Sequence, residues 1–333
     1  MKQLFNRISH SALKLAIGFG LVTLTTAPAF GGLDPHRSDS GIYGPKYEVI
    51  LDDMERLQNE NPDIVRLIDY GKSIKGRPLR MMVIMGGTQR LEKRPALLVT
   101  GATHGNEYLG IADHLPEKLV QLARRRNSIV NQYLRIGGTL VFVPILNPDG
   151  YAARQRGNAK GKDLNRDWDI KTANFKGFKE VESRSLALYL LTLEQQLQIK
   201  FDIIVDYHCC LGAIIHPWSY QKKFISDKDR QTHQRVAGMA NESGLNVKIG
   251  SAGELIWYLP MGTTNDHHYI ERNAISLTYE GRGRIEKDNL PKHVNWFQLM
   301  IRSSLVNALR SRPMFGFQWQ QQDSFIQMLG EPR

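Results

Sequence analysis

Residues 96–107 read Ala96-Leu-Leu-Val-Thr-Gly-Ala-Thr-His-Gly-Asn-Glu107, an apolar run that passes directly into a polar turn. A nearly continuous apolar run is typical of a strand that is buried on both faces, as in a parallel sheet. The turn that follows places an imidazole, His104, three residues before a carboxylate, Glu107. We therefore predict a buried strand whose carboxyl end presents two potential zinc ligands. The alternative is a simple helix start, in which Asn106 or Glu107 supports the first turn.

Strands and helices alternate along the rest of the chain. We predict strands at 64–70, 79–85, 139–146, 201–208 and 274–280, and helices at 106–126, 180–198, 228–242 and 292–309. This alternation predicts an α/β fold, a single domain with a mostly parallel, mixed and twisted sheet that helices cover on both faces. Ligands of open α/β sheets bind beyond the carboxyl ends of the strands, so the residues after each buried strand are the first candidates for chemistry.

The N-terminus has the three parts of a secretory signal peptide: a basic head, an apolar core at 15–25 and the small-residue exit Ala27-Pro-Ala29. We expect cleavage near Ala29 and export to the periplasm or the medium, and an uncleaved anchor is the alternative. The apolar core is short for a membrane span, and we expect no transmembrane segment in the mature chain. We divide the remainder into a linker (30–44), a catalytic domain (45–311) and a C-terminal tail (312–333).

The chain is basic, with 44 Lys and Arg against 33 Asp and Glu residues and a net charge of +11. Removal of Lys2, Arg7 and Lys14 with the signal peptide leaves +8. Such an excess favours anionic neighbours, for example acidic cell-wall polymers or lipid headgroups. Because the basic residues are dispersed and no basic stripe carries interleaved aromatic residues, we predict no binding of nucleic acid.

The only two cysteines, Cys209 and Cys210, are adjacent. A bridge between neighbours would be badly strained, so we expect no disulfide that staples the fold. Cys210 shares its strand face with His208, which leaves three interpretations open: lining of a pocket, inert burial, or ligation of a metal.

The exits of two further strands also carry candidate residues. His208 ends the strand 201–208 and, with His104 and Glu107, completes a set of two histidines and one carboxylate, which suits catalytic zinc. Asp206 lies on the same strand face as His208 and could orient its imidazole. Glu280 ends the strand 274–280 and is a candidate general base, because a carboxylate near zinc can take a proton from the activated water. An ion pair of Glu280 with a nearby arginine at the surface is the alternative.

A loop between these strands contains three arginines, Arg154, Arg156 and Arg166, among several amides and glycines. Guanidinium groups bind carboxylates in a bidentate manner, so the loop has the composition of a carboxylate-binding clamp. A solvated charged loop is the alternative.

Taken together, the motifs resemble those of the zinc metallocarboxypeptidases of the carboxypeptidase A type, over roughly residues 45–310. The matching strings are His104-Gly-Asn-Glu107, Asn147-Pro-Asp-Gly-Tyr151, Arg156-Gly-Asn158, Asp163-Leu-Asn-Arg166, Asp206-Tyr-His208 and Thr278-Tyr-Glu280, in the same order and with agreeing spacing. The resemblance implies zinc-dependent hydrolysis of a peptide bond beside a free C-terminal carboxylate, with one Zn²⁺ per chain.

The resemblance also implies a role for individual residues. It implies that His104, Glu107 and His208 bind the zinc, that Glu280 is the general base, that Arg156 stabilises the oxyanion, that Asn165 and Arg166 hold the substrate's carboxylate, and that Tyr258 closes over the substrate. Asn265 would lie at the bottom of the specificity pocket with Asp266 beside it. The adjacent His267 and His268 lack acidic partners at ligand spacing, so we interpret them as ordinary pocket or surface histidines.

Two other functions remain open. The strings His-Gly-Asn-Glu and Asp-Leu-Asn-Arg also resemble those of N-acyl amino acid hydrolases of the aspartoacylase and succinylglutamate desuccinylase kind, although only 53 residues follow Glu280. A non-catalytic protein that binds peptides or the cell wall is the alternative of another class. We expect a peptide as substrate, with the stem peptides of peptidoglycan as one possibility, and make no prediction about the oligomeric state.

Overall fold

In the computed structural model, which describes residues 44–86, 93–283 and 285–311, the strands of one mixed sheet form the framework. They are β1 (Val65–Lys72), β2 (Pro78–Met85), β3 (Arg94–Gly101), β4 (Thr139–Val143), β5 (Ile199–Cys209), β6 (Ala213–His216), β7 (Lys248–Ser251) and β8 (Ile275–Gly281). Their order across the sheet is β1-β2-β4-β3-β5-β8-β6-β7. The four central strands, β4, β3, β5 and β8, are parallel, while β1 and β2 are joined antiparallel at one side.

Helices cover both faces of this sheet. They are α1 (Tyr47–Glu60), α2 (Leu115–Ala123), α3 (Ile129–Arg135), α4 (Pro148–Ala152), α5 (Val181–Gln196), α6 (Asp227–Glu242), α7 (Ala252–Leu255), α8 (Thr264–Arg272) and α9 (Leu290–Ser311). The predicted α/β class with a mixed sheet between helices is confirmed. Within the described ranges, none of the helices combines the length and the apolar character that crossing a bilayer requires.

The central strands are apolar on both faces because each face packs against helices. In β3, Leu97 and Val99 belong to one core cluster with residues of α2, α6 and α9. Ala96 and Leu98 belong to a second cluster with residues of α5 on the opposite face. The alternation of side chains along a strand thus explains the continuous apolar run that the sequence shows.

The predicted helix 106–126 is wrong over its first nine residues, because α2 begins only at Leu115. Gly105 lies so close to the backbone of Gly150 that a Cβ atom would be 2.0 Å from its carbonyl carbon. Gly110 has φ +72°, a left-handed conformation that ends any regular helix there. The segment 102–114 is therefore an irregular loop that lies directly after β3.

The carboxyl ends of β3, β5 and β8 lie side by side in the sheet. His208 of β5 is paired in register with Glu280 of β8, and Gly101 at the end of β3 is paired with Tyr207. The loop that carries His104 and Glu107 leaves β3 at the same edge. The topology therefore places the predicted chemistry at one edge of the sheet, as the strand exits indicated. The predicted signal peptide and C-terminal tail lie outside the described residues.

Candidate metal centre and substrate cavity

Three side-chain atoms converge where β3 and β5 end. His104 Nδ1 lies 2.9 Å from Glu107 Oε2, His208 Nδ1 lies 3.1 Å from the same oxygen, and the two Nδ1 atoms are 3.0 Å apart. All three side chains are buried. Two imidazole nitrogens and one carboxylate oxygen at these separations could hold a metal ion, and no other such group occurs in the described part of the chain.

Each imidazole is oriented from its outer side by a carboxylate. His104 Nε2 lies 2.9 Å from Asp163 Oδ1, and His208 Nε2 lies 2.8 Å from Asp206 Oδ2. A carboxylate can only accept a hydrogen bond, so each Nε2 carries the proton and each Nδ1 presents its lone pair to the centre. Two lone pairs that face each other at 3.0 Å repel unless a cation lies between them. The donor set therefore fits zinc.

Asp206 is held as an anion at the bottom of the centre. Burial opposes its ionisation, but the His208 imidazole and hydrogen bonds from threonines lower the pKa of Asp206 below its usual value. The Thr100 and Thr103 hydroxyls donate to Oδ1 at 2.7 and 2.9 Å, and the Thr264 hydroxyl donates to Oδ2 at 2.7 Å. The orienting role that the strand alternation predicts for Asp206 thus has a matching geometry.

We predict that Asp206→Asn lowers the zinc affinity by about 10- to 100-fold, because the neutral amide no longer fixes the tautomer of His208. Competition with a chromophoric zinc chelator measures this affinity, and circular dichroism checks the fold. Asp227→Asn, at an exposed carboxylate on α6, is the matched control and should bind zinc like the wild type. A folded Asp206→Asn protein with unchanged zinc affinity would show that Asp206 does not contribute to zinc binding.

A cavity of about 200 Å³ opens beside the centre. Its lining includes every predicted site residue except His208 and Asp266: His104, Glu107, Arg156, Asn165, Arg166, Tyr258, Asn265 and Glu280. The chain thus brings together residues from six separate segments in one concave surface. Both cysteines, Leu211 and Ile215 add an apolar part to the same wall.

Arg156 links the two carboxylates that surround His104. Its Nη1 donates to Glu107 Oε1 at 3.0 Å, and its Nε and Nη2 donate to Asp163 Oδ2 at 3.0 and 2.9 Å. Its side chain is 44% exposed and lines the cavity. The contact of Asp163 with His104 could not be predicted from a local pattern, since the two residues are 59 positions apart.

Asn165, Arg166 and Tyr258 form a second polar group in the cavity. Asn165 Oδ1 accepts the Thr264 backbone N–H at 3.0 Å, which fixes the amide. Arg166 Nη2 lies 3.4 Å from the Tyr258 hydroxyl, and its guanidinium lies 5.8 Å from the centre of the tyrosine ring. Tyr258 is 40% exposed and lines the cavity.

Glu280 lies next to the metal set on the neighbouring strand. Burial raises the pKa of Glu280 to about 7, and the nearby Glu107 carboxylate adds to this rise. A carboxyl group whose pKa lies near neutrality can both take and return a proton, as a general base requires. Of the two arginines nearby in sequence, Arg282 directs its guanidinium to the Asn246 carbonyl, and Arg284 lies outside the described residues. Glu280 itself lines the cavity.

At the base of the cavity, the two predicted pocket residues point in different directions. Asn265 lines the cavity, whereas the Asp266 carboxylate accepts the backbone N–H groups of Ser219 and Tyr220 at 2.9 to 3.1 Å. Burial raises the pKa of Asp266 to about 7. Asp266 thus lies behind the cavity wall and is engaged by the protein backbone.

Cys209 and Cys210 are joined by a disulfide, although their adjacency predicted none. The bridge links neighbours and staples no distant part of the fold. Both residues line the cavity, so the interpretation as pocket lining is confirmed and ligation by a free thiolate is excluded. His267 and His268 are buried beside Trp168, and burial lowers the pKa of both. They are therefore core histidines, and the predicted place in the pocket or at the surface is wrong.

The comparison with known proteins agrees with this geometry. A family model described as zinc carboxypeptidase matches residues 50–299. The catalytic chain of carboxypeptidase N from Rattus norvegicus is 34% identical over 294 residues, which cover 71% of this chain and 62% of that protein. A protein described as an inactive metallocarboxypeptidase, from Talaromyces marneffei, is 23% identical over 311 residues and covers 81% of this chain and 49% of its own length.

The fold has solved counterparts. Bovine thrombin-activatable fibrinolysis inhibitor, in complex with a tick carboxypeptidase inhibitor, superposes with a TM-score of 0.64 at 19% identity, over 79% of this chain and 97% of that one. At this identity the likeness concerns the fold alone. The chain spans between about half and two thirds of the length of three carboxypeptidase relatives, from 49% for carboxypeptidase SOL1 of Arabidopsis thaliana to 62% for carboxypeptidase N.

Proposed function

The chain belongs to the zinc carboxypeptidase family, and from this membership we propose that it hydrolyses the peptide bond next to a free C-terminal carboxylate. One observation carries the proposal: the three convergent donors of His104, Glu107 and His208 share a cavity with Glu280 and with two arginines. A metal set, a carboxyl group of raised pKa and cationic groups for a carboxylate are the parts that such a hydrolysis needs.

The family uses Zn²⁺, and we propose that His104, Glu107 and His208 hold it in this chain. When bound, zinc supplies a Lewis acid that polarises the scissile carbonyl and makes water more acidic. Asp163 and Asp206 keep the imidazoles in the tautomer that binds a metal.

Glu280 carries the proton of the attacking water to the leaving amine in the proposed reaction. Glu280 takes a proton from the attacking water and returns it to the nitrogen of the leaving amine when the C–N bond breaks. Burial raises the pKa of Glu280 above its usual value, which makes its carboxylate a stronger base for the first transfer. The residue lies opposite His208 in the sheet, so its carboxylate is held beside the metal set by two neighbouring strands.

The remaining cavity residues bind and position the substrate. Arg156 faces the developing oxyanion, where one well-placed donor contributes ~3 kcal/mol. Asn165 and Arg166 hold the terminal carboxylate, which selects a free C-terminus and fixes the last peptide bond at the centre. Tyr258 closes over the bound residue from the rim. Asn265 contacts its side chain at the base of the cavity.

We propose an exported enzyme that acts on peptides, with peptidoglycan stem peptides as one substrate class to be tested. The predicted N-terminal signal peptide supports export, and the net charge of +8 expected after its cleavage suits an anionic polymer. The acylase alternative is less well supported, because Asn147-Pro-Asp-Gly-Tyr151 fits the peptidase pattern better. The relative described as inactive keeps a non-catalytic role open as a family precedent, but this chain retains both the metal set and Glu280.

Mass spectrometry of a mixed digest of ordinary peptides and muropeptides, with and without a zinc chelator, tests the proposal. We expect loss of single C-terminal residues that stops when zinc is removed and resumes when zinc is returned. Peptides with an amidated C-terminus are the matched control and should stay intact. No cleavage by the zinc-loaded protein would favour the acylase alternative. Digestion of the ordinary peptides with the muropeptides left intact would show that peptidoglycan stem peptides are not a substrate.

A further inference from the structure

The base of the cavity contains an unused hydrogen-bond donor. Asn265 is 1% exposed, and its Nδ2 has no hydrogen-bond partner among residues 44–86, 93–283 and 285–311. A buried donor without a partner is unfavourable, and such groups in native proteins generally have a reason. Since Asn265 lines the cavity, its amide nitrogen is available to a ligand there.

The orientation of this amide is fixed by its surroundings. Asn265 Oδ1 accepts the backbone N–H of Asp266 at 2.9 Å and the Ser219 hydroxyl at 3.1 Å. A backbone N–H can only donate, so the atom that faces it must be the oxygen. The nitrogen is therefore the atom left for the cavity. Ser219 also lines the cavity, and once its hydroxyl donates to Asn265 it can only accept a further hydrogen bond.

From this pair of groups we infer that the cavity prefers a C-terminal residue whose side chain ends in a carboxamide, such as glutamine. The side-chain oxygen would accept from Asn265 Nδ2, and the side-chain nitrogen would donate to Ser219 Oγ. Ile215, Ile256 and Pro260 line the same cavity and would contact the methylene groups of that side chain. The inference rests on the proposed carboxypeptidase function and names its substrate class.

Cationic side chains lack a counter-charge at this base. The nearest acidic residue in sequence, Asp266, accepts three backbone hydrogen bonds behind the wall. The carboxylates that line the cavity in the described structure are Glu107 of the metal set and Glu280, and both lie at the centre. An aliphatic side chain would bury the Asn265 donor without a partner, which disfavours it by about 10- to 100-fold.

The test is kcat/KM for four N-acyl dipeptides that share one penultimate residue and end in Gln, Met, Glu or Lys. Glutamine and methionine have similar lengths, so their ratio isolates the carboxamide. We expect glutamine to exceed methionine and lysine by about 10- to 100-fold and to exceed glutamate, which has no hydrogen for Ser219. A peptide ending in Met, Lys or Glu that is cleaved as well as the glutamine peptide would overturn the inference.

Asn265→Asp keeps the acceptor for Asp266 and Ser219 but replaces the donor with a negatively charged oxygen. We expect the ratio of glutamine to methionine to fall towards one and cleavage after a C-terminal lysine to rise. Asn295→Asp, at an exposed position on α9, is the matched control and should keep the wild-type order. An unchanged order in Asn265→Asp would contradict the role of Asn265.

Binding separates this inference from the proposed function. Titration calorimetry of the four peptides with the zinc-loaded Glu280→Gln protein reads the selectivity of the cavity without turnover. If the wild type cleaves none of the peptides but the variant binds glutamine most tightly, the proposed reaction fails and the selectivity stands. If the peptides are cleaved but bind without preference, the selectivity fails alone. No binding at all would overturn both.

Discussion

Glu280→Gln is expected to lower kcat by about 10² to 10⁴ while the protein keeps its zinc. The glutamine side chain has nearly the same shape as glutamate but cannot accept a proton from water at neutral pH. Glu280 supplies none of the three converging metal-ligand atoms, which belong to His104, Glu107 and His208. The variant therefore separates loss of the base from loss of the metal.

Stopped assays with a chromogenic peptide and zinc analysis of the same samples measure both quantities. Glu242→Gln, at an exposed position on α6, is the matched control and should retain wild-type kcat and zinc content. In the wild type, a raised pKa near 7 means that Glu280 gains a proton, and the base is lost, as the pH falls below that value. Bound zinc lowers this pKa, so activity should fall on the acidic side of 7.

The residual activity of Glu280→Gln should lack that acidic limb, because the titrating base is gone. A zinc-loaded Glu280→Gln protein with near-normal kcat would refute the assignment of Glu280 as the base. A protein that loses both zinc and activity would show instead that Glu280 maintains the metal centre, which would also contradict the proposed role.

The strand exits could be predicted because burial on both faces leaves a plain signal in the sequence. The runs that end at Ala102, His208 and Glu280 are mostly apolar, and a histidine or glutamate at such an end has few structural uses. The topology of a parallel sheet then brings those ends to one edge. The candidate metal ligands and the candidate general base could therefore be proposed from local patterns together with one rule about sheets, and the family resemblance supplied the role of each.

Other features depend on contacts between distant segments, which no local pattern records. The irregular loop after β3 exists because Gly105 contacts the backbone of Gly150, 45 positions away. The partner of His104 is Asp163, which belongs to a loop with no fixed spacing from it. Helix α1 was missed for another reason: Tyr47, Ile50, Met54 and Leu57 do have helical spacing, but they precede the first strand and carry no polar motif.

At the base of the cavity, too, the sequence predicts the residues but not their orientation. A neutral Asn265 and an acidic Asp266 are visible in the sequence, but their directions are not. The helix α8 turns Asn265 to the cavity and Asp266 to the backbone of Ser219, so only the structure shows which of the two meets a substrate. The disulfide between Cys209 and Cys210 could not be predicted from their adjacency either, because its formation depends on the local backbone conformation.

Arg156→Ala is expected to lower kcat by about 10² to 10³, because the variant lacks a cationic donor for the developing oxyanion. The structure also gives Arg156 contacts with Glu107 and Asp163, both of which surround His104. Some loss of zinc affinity is therefore expected as well. Assays at saturating zinc, with zinc content measured in parallel, isolate the part of the effect that concerns the reaction.

The separate effects of Arg156→Ala on kcat and on KM identify the role of Arg156. A group that binds only the transition state lowers kcat with little change in KM, whereas a group that binds the substrate equally in both states raises KM alone. Arg125→Ala, at an exposed position after α2, is the matched control and should leave both constants unchanged. A raised KM with normal kcat would assign Arg156 to the substrate's carboxylate beside Arg166, and the oxyanion would then need another donor in the cavity.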